Sequence, residues 1–193
     1  WSEKEFVSHQ RFTVASAQIV GGQGVHSGRE CVVRIRPAAV GRGIRINGTL
    51  ATIDAVLEQP LCTALHTRTG PVLTIEHMLA ALWGQGIDDV EVEVDGGEVP
   101  ILDGSVRSWI DIIEPVAHGG RKVLLVCRES IEVSHDSAWI RATPSDALHL
   151  AVELQYPELG ALRCEGGLEE ICALASARTF GFERDADRLR AAG

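Results

Sequence analysis

The sequence predicts an α+β fold made of two similar domains, each a small β-sheet packed on helices. Strand-like alternation precedes helix-like periodicity in the first half of the chain, and the same order returns in the second half. A short segment, VVRIRPAA at 32–39, is also echoed by WIRATPSD at 139–146. We place the domains at residues 1–118 and 119–193. The second is incomplete in this chain, because no strand and helix follow its first helix.

The first half begins with strand signals. Residues 12–37 predict a hairpin, in which FTVASAQIV and CVVRIRP flank the turn-forming GGQGVHSG. Short strands are expected at 43–47 and 61–65. DVEVEVD, at 89–95, alternates valine with acidic residues, as on a half-buried strand.

The spacing of apolar residues, every three or four positions, then identifies the helices. One apolar stripe at helical spacing predicts a helix with Thr74 as its N-cap and Gly84 and Gly86 at its end; its members are Ile75, Met78, Leu79, Leu82 and Trp83. A second helix is expected around residues 106–113, and AHGGR at 117–121 reads as a linker. Hairpin strands and a third helix, at about 168–177, follow in the second half.

Bulk composition excludes several classes of function. The net charge of −9 and the lack of a Lys/Arg cluster disfavour nucleic-acid binding. The longest near-continuous apolar run, Val123–Cys127, is strand-sized, so no transmembrane segment is expected. The five cysteines are scattered without a CxxC pair, which favours a reducing, cytoplasmic setting. The first residue is Trp1 and no leader follows, which indicates a trimmed start without a secretion signal.

Glu76 and His77, in TIEHMLAAL, form the first candidate site. In the first turn of a helix the dipole favours a carboxylate and disfavours imidazolium, so His77 should stay neutral, as a metal ligand must. The pair could therefore be a metal ligand and a base. Neither HExxH nor its inverse is present, and one helix cannot supply a full ligand set. The alternative is two polar residues on the wet side of a core helix.

The other candidates are weaker when taken singly. His26, between glycines, has a structural turn as its simplest interpretation. Cys62 and His66 could form a thiol–imidazole pair of a cysteine hydrolase, although a cysteine in a strand is more often a small core residue. Asp103 in ILDGS is predicted to be a turn or cap residue. Phe180 and Phe182, beside Thr179, could be core residues or the walls of an apolar passage.

Taken together, the motifs change this interpretation. QGVHSG (23–28), RIRPA (34–38), LCTAL (61–65), the long segment 73–105 and SARTFGF (176–182) follow one another in this order. This set resembles the zinc-dependent UDP-3-O-acyl-N-acetylglucosamine deacetylases of lipid A synthesis. The resemblance implies two α+β domains packed on each other with the site between them. Its substrate would be an acylated UDP-sugar.

The resemblance also implies roles for particular residues. His77 would be a Zn²⁺ ligand, Glu76 the general base and Thr179 the residue that steadies the oxyanion. Phe180 and Phe182 match the neighbourhood of the passage for the acyl chain. Cys62 would lie close to the metal and the substrate.

The resemblance leaves the zinc site incomplete. The family's other two ligands come from an HKxxD segment downstream of RTFGF, and no such segment occurs in these 193 residues. We therefore expect a missing C-terminal segment or a second chain to complete the site. The rival hypothesis is a non-catalytic, truncated relative that binds an acylated sugar nucleotide or a protein partner.

Overall fold

The structure, a computed structural model, describes residues 8–123 and 127–182. Of these, Gln10–Arg121 and 175–182 belong to one unit, here the N-terminal unit; 8–9 and the described part of Lys122–Leu174 belong to the other, here the C-terminal unit. Strands in several sheets combine with a few short helices. The predicted α+β class is confirmed.

Ten strands and two helices belong wholly or mainly to the N-terminal unit. They are, in chain order, β1 (Ser8–Val14), β2 (Gln18–Gln23), β3 (Glu30–Pro37), β4 (Ile44–Ile46), β5 (Thr49–Leu50), β6 (Val56–Leu57), β7 (Ala64–Thr67), β8 (Gly70–Val72), α1 (Glu76–Gly84), β9 (Val90–Asp95), α2 (Arg107–Ile110) and β10 (Pro115–Val123). The central sheet has the order β2-β3-β9-β4-β5, and β6, β7 and β8 form a second, antiparallel sheet.

The predicted first hairpin is present, but it is shorter than expected. β2 and β3 pair antiparallel, with Gln18 opposite Ile35 and Gln23 opposite Glu30. The run FTVASAQIV is not one strand: its first residues belong to β1, which pairs with β10 instead. Local alternation cannot reveal this division, because both pieces have the same strand-like composition.

β9 lies in the middle of the central sheet and confirms the predicted alternation. Val90, Val92 and Val94 are buried, whereas Glu93 on the opposite face is exposed. β9 pairs antiparallel with β3 and parallel with β4, which lies within the strand predicted at 43–47. The strand predicted at 61–65 begins later, as β7, because Leu61 has a positive φ of 66° in a turn.

Helix α1 packs its apolar face into the core of this unit. Met78, Ala81 and Leu82 are fully buried in one cluster with valines and isoleucines of β3 and β9. Full burial of one such large side chain stabilises a fold by about 1.5–3 kcal/mol. Trp83, predicted to lie on the stripe, is 54% exposed. The helix ends at Gly84, and Gly86 adopts a positive φ of 70°, as predicted for its stop.

A buried ion pair ties β1 and β10 to the start of β9. Arg11 donates to both carboxylate oxygens of Asp89, at 2.7 and 2.8 Å, and the backbone N–H of Gly43 donates to the same carboxylate. His118 Nε2 lies 3.1 Å from Asp89 Oδ2. His118 belongs to the segment predicted to be a linker, which is instead part of β10. The interpretation of residues 117–121 as a linker was wrong, because glycines in a strand resemble a loop.

The C-terminal unit contains two hairpins and a helix. They are β11 (Ile131–His135) paired with β12 (Ala138–Ala142), β13 (Leu150–Tyr156) paired with β14 (Gly160–Gly166), and α3 (Leu168–Ala173). Helix α3 ends earlier than predicted, and a 3-10 turn continues to Ser176. Residues 124–126 of a predicted strand, and the charged segment 183–193, lie outside the described residues.

Across the described ranges, no helix combines the length and the apolar character needed to cross a membrane.

Candidate active site

Glu76 and His77 are the first two residues of α1, and both are half-buried. The N-cap is Ile75, whose carbonyl accepts the N–H of Leu79 at 2.9 Å. The predicted N-cap, Thr74, is wrong. Its φ is 58°, and its hydroxyl donates to Glu98 Oε1 at 3.0 Å instead of capping the helix.

The backbone of Thr63 holds the start of this helix. The N–H of Ile75 donates to the carbonyl of Thr63 at 3.2 Å, and the N–H of Thr63 donates to Glu76 Oε2 at 3.0 Å. These two bonds join LCTAL, just before β7, to the pair at the helix start. The carboxylate of Glu76 is therefore oriented by a backbone donor, as a base must be to reach its proton.

Cys62 lies beside this pair. Burial raises the pKa of the Cys62 thiol, and hydrogen bonds from the backbone and hydroxyl of Thr74 only partly oppose that effect, while the carboxylates of Glu76 and Glu98 add to it. A raised pKa leaves less thiolate, the nucleophilic form. The site thus disfavours the cysteine-hydrolase hypothesis, although the structure does bring Cys62 to Glu76.

Glu98, which sequence reasoning missed, is fully buried next to the same residues. It accepts the backbone N–H groups of His26 and Ser27, at 3.0 and 2.8 Å, and the hydroxyl of Thr74. Burial alone would raise the pKa of Glu98, but the backbone of His26, the hydroxyl and backbone of Ser27 and the hydroxyl of Thr74 together outweigh it and hold the pKa below its ordinary value. The only signal in the sequence was an acidic residue directly before the apolar run VPIL.

Thr179, Phe180 and Phe182 lie against another part of the N-terminal unit. The N–H of Thr179 donates to the carbonyl of Gly104 at 2.8 Å, and Arg178 forms a β-bridge with Ser105. The rings of Phe180 and Phe182 meet edge to face, with centroids 5.8 Å apart. Phe180 is 51% exposed, so it is not the core residue that one interpretation expected.

Asp103 organises the loop that holds Thr179. Its Oδ1 accepts the N–H and hydroxyl of Ser105 and the hydroxyl of Ser108. The hydroxyl of Ser108, the hydroxyl and N–H of Ser105 and the charge of Arg178, 3.5 Å away, together lower the pKa of Asp103 to about 2. The predicted turn role of Asp103 is confirmed. The loop 98–104 thereby contacts two segments: Glu98 contacts Thr74, just before Glu76, and Gly104 contacts Thr179.

The described residues do not complete a metal site. Within 8–123 and 127–182, no group of three or more His, Cys, Asp or Glu side chains is arranged to hold a metal ion. A catalytic zinc needs three protein ligands, and His77 could supply one. The donor set described is thus insufficient for zinc.

These features together define a candidate active site on the N-terminal unit. An α+β scaffold presents an oriented carboxylate and an imidazole at a helix start, and a backbone-held threonine segment lies on the same unit. Residues 11–193 match the family described as UDP-3-O-acyl N-acetylglycosamine deacetylase, LpxC. The chain belongs to this family, which confirms the resemblance.

Individual relatives agree with this assignment, and each is named UDP-3-O-acyl-N-acetylglucosamine deacetylase. The protein of Shewanella woodyi is 33% identical over 189 residues, which cover 88% of this chain and 62% of the relative. That of Thermosynechococcus vestitus is 32% identical, over 94% of this chain and 68% of the relative. That of Brucella ovis is 30% identical, over 94% of this chain and 69% of the relative. The chain thus spans between 62% and 69% of the length of these relatives.

Proposed function

We propose that the protein removes the N-acetyl group from a UDP-3-O-acyl-N-acetylglucosamine, a reaction of lipid A synthesis. Membership of the deacetylase family supports this proposal. The observation that carries it is the carboxylate of Glu76, which one backbone N–H orients at the start of α1. The five cysteines, all free thiols, support a cytoplasmic location.

In the proposed reaction, Glu76 acts as general base. Its Oε2 is held by Thr63, and Oε1 accepts no hydrogen bond from a described residue, so Oε1 is available to take a proton from the attacking water. The hydroxyl of Thr179 would donate to the oxyanion that forms from the amide carbonyl. Phe180, Phe182 and Cys62 would line the place of the acylated sugar.

We propose Zn²⁺ as the cofactor, with His77 as one ligand. The further ligands would belong to chain outside the described residues, in a C-terminal segment or a second chain. About a third of the length of each relative lies outside its match to this chain, which leaves room for them. Because the described residues do not complete the site, we derive no reaction step through the metal.

The test is acetate release from the acylated UDP-sugar by the full-length protein. Glu76→Gln should lower kcat by roughly 10²–10⁴-fold, because it removes the base and keeps the shape. His77→Ala should lower both the bound zinc, measured by mass spectrometry of the metal content, and the activity. Glu93→Gln removes an exposed carboxylate on β9 and is the matched control. Undiminished turnover in Glu76→Gln, or full zinc content in His77→Ala, would contradict the assigned roles.

A further inference from the structure

Glu98 is a charged group in an unusual place. Its side chain is 0% exposed, in the loop that follows β9. A buried carboxylate is costly unless hydrogen bonds replace its lost hydration. Here the replacement comes from neutral donors, namely the N–H groups of His26 and Ser27 and the hydroxyls of Ser27 and Thr74. The carboxylate thus joins two segments that are far apart in the sequence, the turn at residues 26 and 27 and the residue Thr74 before α1.

One of the segments that Glu98 holds leads directly to the candidate site. Thr74 lies two residues before Glu76, and its φ of 58° is a left-handed conformation that strains a non-glycine residue. Thr74 also neighbours Cys62, since its backbone and hydroxyl act to lower the pKa of the Cys62 thiol against the effect of burial. Glu98 therefore anchors Thr74 by a hydrogen bond, and Thr74 in turn neighbours Cys62 and precedes the start of α1.

The turn QGVHSG, residues 23–28, packs closely against the carboxylate of Glu98. A Cβ on Gly24 would lie 2.3 Å from Glu98 Oε2 and 2.5 Å from Ser27 Oγ. Gly24 also closes the turn, since its carbonyl accepts the N–H of Gly28 at 3.0 Å. The backbone of QGVHSG can approach Glu98 this closely only because residue 24 has no side chain.

We propose that Glu98 is a positioning residue of the site, which acts on Glu76 and Cys62 through Thr74 and also orders the His26–Ser27 turn. This inference rests on the proposed deacetylase function. Glu98 does not touch the reacting groups in this arrangement. It sets the backbone from which Glu76 projects, and a displacement of about 1 Å in such a group can cost about 10²-fold in rate.

The carboxylate form is specifically required. Both of its oxygens act only as acceptors: Oε1 accepts from the N–H of His26 and the hydroxyl of Thr74, and Oε2 accepts from the N–H of Ser27. A glutamine has the same shape, but its amide nitrogen is a donor. In either orientation of the amide in Glu98→Gln, its nitrogen would face a backbone N–H of the turn, that of His26 or that of Ser27, inside a dry site. The side chain must shift to relieve this contact, which loosens both the turn and the bond to Thr74 and leaves the packing volume unchanged.

The experiment compares four variants of the full-length protein. Glu98→Gln and Thr74→Val remove the contact from its two ends, Thr74→Ser keeps the hydroxyl, and Glu93→Gln removes an exposed charge from β9 as control. We measure kcat and KM for acetate release, the melting temperature, and hydrogen–deuterium exchange of the peptide that carries His26 and Ser27. All rates are taken well below the melting temperature and per folded molecule.

We expect Glu98→Gln and Thr74→Val to lower kcat about tenfold or more with KM changed less than about threefold, whereas Thr74→Ser and the control stay within about threefold of the parent. Exchange at residues 26 and 27 should rise about tenfold in Glu98→Gln only. If Glu98→Gln does not fold, the difference in kcat between Thr74→Val and Thr74→Ser tests whether the bond from Thr74 to Glu98 positions the site.

Two results overturn the proposal: an unchanged kcat in folded Glu98→Gln, even with faster exchange, or equal kcat in Thr74→Val and Thr74→Ser. An inactive parent refutes the proposed function instead. In that case the exchange comparison alone decides whether Glu98 holds the turn, and unchanged exchange refutes it.

Discussion

Replacement of Gly24 by alanine tests the close packing around Glu98 with a single methyl group. The added Cβ would lie 2.3 Å from Glu98 Oε2, below the 3.0 Å that real Cβ atoms respect. The carboxylate would have to retreat by roughly 0.7 Å, enough to stretch the 2.8 Å hydrogen bond from Ser27 beyond a normal length. The methyl group therefore breaks a charge-assisted bond inside a buried site.

The magnitude follows from this geometry. Loss of a hydrogen bond to a charged group costs about 2 kcal/mol. The smaller conformational freedom of alanine in the unfolded chain returns about 0.7 kcal/mol. The expected net loss of unfolding free energy is about 1.3 kcal/mol. Gly21, in β2 of the same hairpin, has nothing within 4 Å of its would-be Cβ, so Gly21→Ala should be neutral or slightly stabilising.

The assay is urea unfolding followed by tryptophan fluorescence. Trp109, fully buried in the core of the N-terminal unit, reports on the unit that contains both glycines. The two variants should differ by about 2 kcal/mol. Equal midpoints and slopes for Gly24→Ala and Gly21→Ala would refute the argument that the turn is fitted to Glu98.

Three further predictions concern stability. Arg11→Met should cost about 3–5 kcal/mol because it leaves Asp89 buried without its cation, whereas Arg36→Met, at an exposed pair, should cost at most about 1 kcal/mol; similar urea midpoints would contradict this. Leu82→Ala should cost about 2–5 kcal/mol through the cavity left under α1, and a smaller loss would show that the core collapses around it. Burial alone would raise the pKa of Asp89, but the hydrogen bonds from Arg11, Gly43 and Gly41 and the charge of Arg11 together outweigh it, so the pKa values of Asp89 and Glu98 both lie below their ordinary values. These carboxylates therefore stabilise the fold above about pH 4, and the contribution is lost as the pH falls further; melting temperatures that stay constant from pH 6 to pH 2.5 would contradict it.

The candidate site was predictable as far as its motifs reached. The Glu76–His77 pair was found from a helix period, and the family from the order of several short motifs; the match over residues 11–193 confirms that family. The chemistry of Glu76 and His77 alone left two interpretations open, a metal site and the solvent-exposed face of a helix. Glu98 was missed, because nothing local in GGEVPIL distinguishes a buried acceptor from an acidic turn residue.

The sequence by itself determined the elements whose signal is local. Alternating valines defined β9, and the 3.6-residue stripe with its glycine stop defined α1. These patterns succeed because the side-chain period of a strand or helix is imposed by its own backbone.

Only the tertiary structure decided which segments meet. Arg11 reaches Asp89 across 78 positions, and Ser27 reaches Glu98 across 71. Thr74 looked like a cap from its neighbours, but the distant carboxylate of Glu98 takes its hydroxyl. Trp83 follows the helix period but stays exposed. Partners so far apart in sequence leave no periodic trace, since burial and hydrogen bonding depend on the packing of the whole chain.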